Sequence, residues 1–309
     1  MPLARAISAV ENEAPEAVAI LDACFERSGR AFRLGITGPP GAGKSTLVAR
    51  IAREYRRRGE TVGVVAVDPT SPFSGGALLG DRVRMGELAG DPGVFIRSMA
   101  TRGSQGGLAV HTAQVCDVLD AAGFTRILIE TVGVGQSELE VAQTADTTAV
   151  VLVPESGDGV QAMKAGLMEI GDLFVINKAD REGAERGAFA VRSALELRPK
   201  AEGGWAPPVL LTVASEGKGT GEVVEYFELH LGHLKSHGGL DGRRRHRVEQ
   251  RMRDLLRAQL WEEFGARVPA AAWADTVESL AARKVTPHEA VARLFGRFGS
   301  RPPGRVARS

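Results

Sequence analysis

FRLGITGPPGAGKS, from Phe32 to Ser45, is the stretch of sequence that decides the fold of this chain. The apolar residues Phe32, Leu34 and Ile36 predict a short strand. Directly after it, Gly38 begins the pattern G-x-x-x-x-G-K-[ST], which is typical of a loop that binds the phosphates of a nucleotide. The amphipathic run that follows predicts a helix. A strand, a phosphate-binding loop and a helix in this order indicate a protein that binds a nucleoside triphosphate.

The residue types in this loop suit phosphate binding. Glycines let the backbone turn tightly and direct its N–H groups inward, while Lys44 reaches the β- and γ-phosphates. The Ser45 hydroxyl is suited to binding Mg²⁺, and the helix that begins at Lys44 adds its positive N-terminal end. The alternative is a Gly/Pro loop that fits the pattern by chance. We expect the nucleotide to contact Gly38, Pro39, Pro40, Gly41, Ala42, Gly43, Lys44, Ser45 and Thr46.

Composition limits the class of protein. The chain has 309 residues, of which 43% are apolar and 25% charged, and this suffices for a proper core. No segment approaches the length of apolar sequence that spans a membrane, and the N-terminus lacks a signal-peptide core. Cys24 and Cys116 stand far apart and are expected to be buried thiols. We therefore expect a cytoplasmic protein with neither a membrane nor a nucleic acid among its partners.

Carboxylates follow two of the predicted strands. The run TVGVVAV is followed by Asp68, and the run RILI by Glu130. Nearly continuous apolar strands are typical of a parallel sheet, whose ligands bind at the carboxyl ends of the strands. We expect Asp68, Asp81 and Glu130 to join Ser45 around Mg²⁺, with a purely structural role for Glu130 as the alternative. The sequence thus predicts an α/β P-loop NTPase fold with a mostly parallel central sheet flanked by helices.

A later strand ends in Asn177-Lys178-Ala179-Asp180, the pattern N-K-x-D. An ionised carboxylate only accepts hydrogen bonds, and guanine offers it two adjacent donors where adenine offers none. A buried Asp180 is left unpaired by ATP, and unpaired polar groups discriminate strongly between ligands. The tetrapeptide therefore indicates GTP and GDP, with a backbone N–H near Ala214 expected to meet the guanine oxygen.

Helical segments flank the predicted nucleotide domain. Residues 1–30 predict a helical lead-in, residues 31–237 the nucleotide domain, and residues 238–298 a helical region that begins with a linker at 238–242. This helical region cannot bury its apolar stripe alone, so it packs on the nucleotide domain or on a second subunit, and homodimerisation is the preferred interpretation. The tail at 299–309 is expected to be disordered.

Three histidines share one face at the end of the last helix of the nucleotide domain, namely His230, His233 and His237. A transition-metal site there is conceivable, but we favour exposed histidines because no cluster of acidic or Cys ligands accompanies them.

The motifs together resemble one family, the MeaB/ArgK-like GTPases, which include the human protein of the methylmalonic aciduria type A locus. The motifs that carry the resemblance are GITGPPGAGKST, VAVDPTSPFSGGALLGDRVRM, ETVGVGQSE, VPESGDGVQAMKAG and NKAD. The resemblance covers nearly the whole chain. It implies a GTPase chaperone for an adenosylcobalamin-dependent acyl-CoA mutase, usually methylmalonyl-CoA mutase, that gates cofactor loading and protects or reactivates the mutase.

The resemblance also implies roles for individual residues. Lys44 and Ser45 hold phosphate and Mg²⁺, and Asp68, Asp81 and Glu130 act on the Mg²⁺ side and in the switches. Asn177 and Asp180 read the base, and residues 155–164 form an additional switch that communicates with the mutase. The chain departs from the family where it starts later than many relatives, at Val213, where many relatives have Ser, and over residues 267–309, the least recognisable part.

Catalysis of phosphoryl transfer is mainly positioning and charge stabilisation. Gln136 is a candidate to orient the attacking water, although it lies two residues further along than a simple D-x-x-G-Q pattern places it. We therefore expect slow intrinsic hydrolysis that a partner stimulates by ordering the switch loops. Two rival functions stay open: a metallochaperone GTPase that delivers nickel or zinc, and a kinase of transport-binding proteins.

Overall fold

The computed structural model describes residues 3–69, 86, 88, 90–101, 107–131, 137–154, 166–198 and 204–299. The elements run along the chain in the order α1 (Leu3–Glu11), α2 (Ala17–Phe25), β1 (Phe32–Thr37), α3 (Lys44–Arg57), β2 (Val62–Pro69), β3 (Val94–Thr101), α4 (Gly107–Ala121), β4 (Arg126–Thr131), α5 (Ser137–Thr144), β5 (Thr147–Leu152), α6 (Leu167–Ile170), β6 (Leu173–Asn177), α7 (Ala184–Glu196), β7 (Val209–Thr212), α8 (Thr220–Ser236), α9 (Gly239–Arg267), α10 (Ala270–Ala281) and α11 (Pro287–Gly299).

The strands of the described residues form one seven-stranded sheet in the order β3-β2-β4-β1-β5-β6-β7. Every pairing is parallel, with β1 between β4 and β5 at the centre. Each residue of β1, β5 and β6 is buried, as expected for strands that are covered on both faces. The predicted α/β fold with a parallel sheet is confirmed.

The helices pack against both faces of the sheet because successive strand residues point to opposite sides. On one face, Leu34 and Ile36 of β1 lie in a core with the apolar sides of α3 and α8. On the other face, α1 and α4 cover β2 and β4, and α7 covers β5 and β6. Gly35 of β1 faces α5, where a Cβ atom would lie 2.8 Å from Cγ1 of Val141. A glycine is required there because the helix approaches the central strand closely.

The chain divides into two compact units, Met1–Arg245 and His246–Ser309, so the division falls within α9. The linker predicted at 238–242 is wrong, because α8 and α9 are joined by His237 and Gly238 alone. Gly238 has a φ of 68°, a backbone conformation that glycine adopts readily and that interrupts the helix between α8 and α9. The predicted lead-in helices and the helices beyond the nucleotide domain are present. Residues 300–309 lie outside the described residues.

The second unit has a small apolar core formed by Phe264, Val268, Ala272 and Leu294. Aromatic rings extend this core, with Trp261 stacked 5.9 Å from Phe264. Much of its apolar surface is nevertheless exposed, including Val248, Met252, Leu255, Leu256, Leu260, Trp261 and Phe295. The expectation that this helical region cannot bury its apolar residues alone therefore agrees with the exposure of these side chains.

Candidate nucleotide site

The phosphate-binding loop begins where β1 ends. Gly38 has a φ of 136°, and a Cβ atom there would lie 2.0 Å from the carbonyl oxygen of Val151. Gly43 has a φ of 86°, and a Cβ atom there would lie 2.4 Å from Nδ2 of Asn177. Residues other than glycine are disfavoured at both positions for two reasons: the backbone has a positive φ, and a Cβ atom would clash with its neighbours. The glycines of the motif therefore let the loop pass against β5 and against the side chain at the end of β6.

Lys44 is the first residue of α3 and is almost fully buried. Its Nζ donates hydrogen bonds to the carbonyl oxygens of Gly38, at 2.7 Å, and of Pro39, at 2.9 Å. The ammonium group is thus held against the backbone of the loop, where its positive charge adds to that of the helix N-terminus. This is the charge distribution that binds an anion.

The next residue, Ser45, contacts the acidic residue at the end of β4. Its Oγ donates a hydrogen bond of 2.6 Å to Oε1 of Glu130, which is 6% exposed. Parallel pairing of β1 with β4 brings them together, because Glu130 lies in register with Ile36, two residues before the loop. A hydroxyl oxygen and a carboxylate oxygen side by side are the hard ligands that Mg²⁺ prefers. The donor set at this point therefore fits the predicted metal.

The other predicted metal and catalytic residues cannot be placed in the same way. The backbone of Asp68 lies in β2, in register with Ala100 of β3, near the end of the strand. Asp81, Gln136 and the switch segment 155–164 lie outside the described residues.

Asn177, the last residue of β6, joins three parts of the site. Its Nδ2 donates to the carbonyl oxygen of Ala42 in the phosphate loop at 2.8 Å. Its Oδ1 accepts hydrogen bonds from Thr212 Oγ1 and from the N–H of Ala214, each at 3.0 Å. The side chain is buried and therefore ties the phosphate loop to the segment after β7. The N–H of Ala214 thus supports the Asn177 side chain in the chain by itself, and the contact of a backbone N–H near Ala214 with the guanine oxygen stays a prediction.

The rest of the N-K-x-D segment turns away from the sheet. Lys178 has a φ of 58°, which is uncommon for a residue other than glycine. Asp180 is exposed, so the prediction of a buried carboxylate is wrong for the protein by itself. Asp180 lies three residues beyond the end of β6, in an exposed turn.

The three predicted histidines do not share one environment. His230 is fully buried, where its Nδ1 lies 2.7 Å from Thr147 Oγ1 and its ring lies 4.7 Å from that of Trp205. His237 is exposed. Among the described residues, no group of three His, Cys, Asp or Glu side chains is arranged to hold a metal ion. The prediction of exposed histidines is therefore wrong for His230, because the end of α8 packs against the sheet.

Two residues of the site were missed by sequence reasoning. Thr212 supports the amide of Asn177, and Arg50 of α3 contacts the segment after β7. Neither belongs to a motif, and both are brought to the site by the order of the strands. Only the pairing of β6 with β7 could have identified Thr212, because this pairing places Thr212 in register with Asn177.

The fold, the glycine-restrained loop and the residues around it define a P-loop GTPase. The sequence profile of the family described as "Methylmalonyl Co-A mutase-associated GTPase MeaB" matches residues 3–268. The chain therefore belongs to the MeaB family. As a member, it binds guanine nucleotide and hydrolyses GTP.

Individual relatives agree with this assignment. A protein of Pyrococcus abyssi named as a GTPase is 47% identical over 289 residues, which cover 93% of this chain and 89% of that protein. The mitochondrial "methylmalonic aciduria type A homolog" of Mus musculus is 37% identical over 75% of this chain and 57% of its own length. A crystal structure titled "LAO/AO transport system kinase" superposes with a TM-score of 0.74 at 28% identity, covering 96% of this chain and 93% of that one.

Among the described residues, no helix combines the length and the apolar character needed to cross a membrane.

Proposed function

We propose that this chain is a GTP-hydrolysing chaperone of an adenosylcobalamin-dependent acyl-CoA mutase, with methylmalonyl-CoA mutase as the first candidate. The observation that supports the proposal most is the match of residues 3–268 to a family described as mutase-associated. The chaperone would gate the loading of the cofactor and protect or reactivate the mutase. We further propose that it acts in the cytoplasm as a homodimer that uses the exposed apolar residues of 246–299.

The described contacts suggest how the site would hold the nucleotide. Lys44 would exchange the carbonyl oxygens of Gly38 and Pro39 for the β- and γ-phosphates. Ser45 and Glu130 would hold Mg²⁺ together with Asp68 and Asp81, and the metal would supply charge to the transferred phosphoryl group. Gln136 would orient the attacking water.

Base recognition would come from the N-K-x-D segment. Asp180 would accept the two guanine donors, and the base itself would bury the carboxylate that the protein leaves exposed. Asn177 and Lys178 would support the base from the end of β6. The segment after β7, with Ala214 in it, would face the guanine oxygen.

GTP and GDP would favour different arrangements of the segments around residues 68–85, 130–138 and 155–164. A partner that binds one arrangement more tightly shifts the balance between them, and by linkage the nucleotide shifts the affinity for the partner. The same coupling would make intrinsic hydrolysis slow and hydrolysis on the partner faster.

The test is GTP hydrolysis by the purified full chain, alone and with each adenosylcobalamin-dependent mutase of its source organism. We expect one mutase to raise the rate at least about ten-fold, as ordering of a switch does in related nucleotide switches. ATP serves as the nucleotide control. GTP hydrolysis that no mutase changes would refute the chaperone proposal.

The same reactions distinguish the kinase alternative, which rests on the name of the protein in the superposed crystal structure, a LAO/AO transport system kinase. GTP labelled at the γ-phosphate is incubated with the chain and with a transport-binding protein. Our proposal expects all label to appear as inorganic phosphate. Label on the binding protein would favour the kinase function.

A further inference from the structure

Two threonines end neighbouring strands of the sheet beside the candidate nucleotide site. Thr37 is the last residue of β1, and Thr131 is the last residue of β4. Their Oγ1 atoms lie 3.0 Å apart, so one hydroxyl donates a hydrogen bond to the other. Both residues are fully buried. Because water does not reach them, each hydroxyl depends on the other for this hydrogen bond.

The hydroxyl contact continues the pairing of the two strands. Backbone pairing between β1 and β4 extends to Ile36 opposite Glu130, and the threonines come next on each strand. After Thr37 the chain enters the phosphate-binding loop at Gly38, whose φ is 136°. The two hydroxyls therefore join the strands at the point where β1 turns into the loop.

The same strand ends are also joined on the other face of the sheet. Successive residues of a strand point to opposite faces, so Glu130 and Thr131 point to different faces. Glu130 accepts a hydrogen bond of 2.6 Å from Oγ of Ser45, in the first turn of α3. Two side-chain contacts, one on each face, therefore hold β4 against β1 and against the helix that follows the loop.

These two contacts would respond differently to Mg²⁺. Ser45 and Glu130, on the proposed function, would release each other and bind the metal. The threonine hydroxyls are buried on the opposite face and would keep their hydrogen bond. The carboxylate would then be held in the same place with and without the metal. Groups that orient a metal ligand in this way raise the affinity of the site for the metal.

We propose that Thr37 and Thr131 are positioning residues, whose mutual hydrogen bond holds the Glu130 carboxylate where it binds Mg²⁺. The inference rests on the proposed metal role of Glu130 and adds two residues that do not contact the metal. Loss of this hydrogen bond weakens Mg²⁺ binding even in a variant that keeps its stability.

The experiment compares the wild-type chain with Thr37→Val, Thr131→Val and the double variant, because Val keeps the shape of Thr without its hydroxyl. Calorimetry gives dissociation constants for a non-hydrolysable GTP analogue in Mg²⁺ and in EDTA. The ratio of the two constants measures the contribution of Mg²⁺ to nucleotide binding. Urea unfolding of the nucleotide-free chains measures their stability.

Stability and metal binding should separate in the double variant. Each single variant leaves one buried hydroxyl without its partner, so it should unfold at a lower urea concentration than the wild type. The double variant leaves neither hydroxyl, so its unfolding midpoint should return most of the way to the wild-type value. The Mg²⁺ contribution should instead fall about ten-fold in all three variants, because all three lack the positioning hydrogen bond.

Thr61→Val is the matched control. Thr61 and Thr125 also bring their Oγ1 atoms together, at 3.4 Å, but this contact is exposed and lies before β2 and β4, at the opposite ends of the strands. Thr61→Val should keep the wild-type Mg²⁺ contribution. Thr131→Ser retains a hydroxyl and should reduce that contribution no more than about two-fold.

Two results would overturn the inference. One is an unchanged Mg²⁺ contribution in the single variants. The other is a double variant that regains both its stability and its Mg²⁺ contribution, which would mean that the threonines only satisfy each other in the interior. Glu130→Gln separates these failures from a failure of the proposed metal site. If Glu130→Gln kept the full Mg²⁺ contribution, Glu130 would not hold the metal, and the inference would fail with that role.

Discussion

Carboxylates lie at both ends of the strands of the parallel sheet, but their hydrogen-bond partners differ. We call the C-terminal ends of the strands the carboxyl edge and the N-terminal ends the amino edge. At the carboxyl edge, Glu130 accepts from the Ser45 hydroxyl, and Lys44 is held by carbonyl oxygens of a loop. At the amino edge, Asp146 and Asp172 each precede a strand by one residue and accept from the backbone of the neighbouring strand. On the proposed function, the carboxyl edge offers contacts that a nucleotide and Mg²⁺ would replace, whereas the amino edge fixes the strands to one another.

The amino edge repeats one arrangement. Asp146, before β5, accepts from the second N–H of β1 at 3.0 Å, and Asp172, before β6, accepts from the second N–H of β5 at 2.9 Å. Arg243 then binds both carboxylate oxygens of Asp172, at 2.8 and 2.9 Å. Each carboxylate therefore accepts a hydrogen bond from a backbone N–H at the start of a neighbouring strand, so that this donor has a partner.

The largest expected difference between the edges concerns catalysis. Lys44→Ala should reduce GTP hydrolysis at least about 10²-fold, because it removes a charge placed where the phosphates bind. Its unfolding free energy should change less than that of the amino-edge variant described next. Hydrolysis is measured at saturating GTP, with Lys235→Ala, an exposed lysine of α8, as control. Normal turnover by Lys44→Ala would refute the phosphate-loop assignment.

Asp172→Ala tests the amino edge. It should lower the unfolding free energy by about 3 kcal/mol, because it leaves Arg243 without its carboxylate and a strand N–H without its acceptor. We take the lower end of the range for broken buried pairs because the Arg243 side chain is 40% exposed. Turnover at saturating GTP should be retained below the unfolding transition.

Urea unfolding measures this effect, and Asp275→Ala, at an exposed position of α10, is the control. An Asp172→Ala variant that was as stable as the wild type, or that lost hydrolysis while folded, would contradict the division of roles between the edges.

The carboxyl edge was largely predictable from sequence, and the amino edge was not. Gly38, Lys44 and Asn177 stand in motifs whose spacing is fixed by the ligand, so local sequence was sufficient to identify them. The partners of Asp146 and Asp172 are set by which strands are neighbours, and β1 pairs with β5 across more than a hundred residues of chain. Local sequence carries no such information.

The same reasoning explains the two errors at His230 and Asp180. Histidine spacing along α8 predicted a common face, but the packing of that face against Thr147 and Trp205 depends on the tertiary fold. Asp180 was treated as a buried carboxylate because a buried carboxylate is left unpaired by ATP. The protein alone supplies only the turn that presents it.

The smallest expected effect is a pH dependence from the amino edge. Burial lowers the pKa of His230 to about 4; nearby Asp172 opposes this shift, while Arg243 and His233 add to it. The unfolded chain therefore binds a proton near pH 6.5 that the folded chain does not. Stability from this group is complete above pH 6.5 and falls as the pH decreases towards 4.

Between pH 7 and pH 5 the loss from His230 should be about 2 kcal/mol. Unfolding free energies of the wild type and of His230→Gln are compared at both pH values, because the difference between the two chains removes the contribution of all other groups. His237→Gln, at the exposed residue that directly follows helix α8, should keep the wild-type pH dependence. Equal pH dependence in wild type and His230→Gln would show that His230 titrates normally in the folded chain. The amino edge would then hold a charged imidazolium beside Asp172, and the contrast between a fixed edge and an exchangeable edge would rest on the aspartates alone.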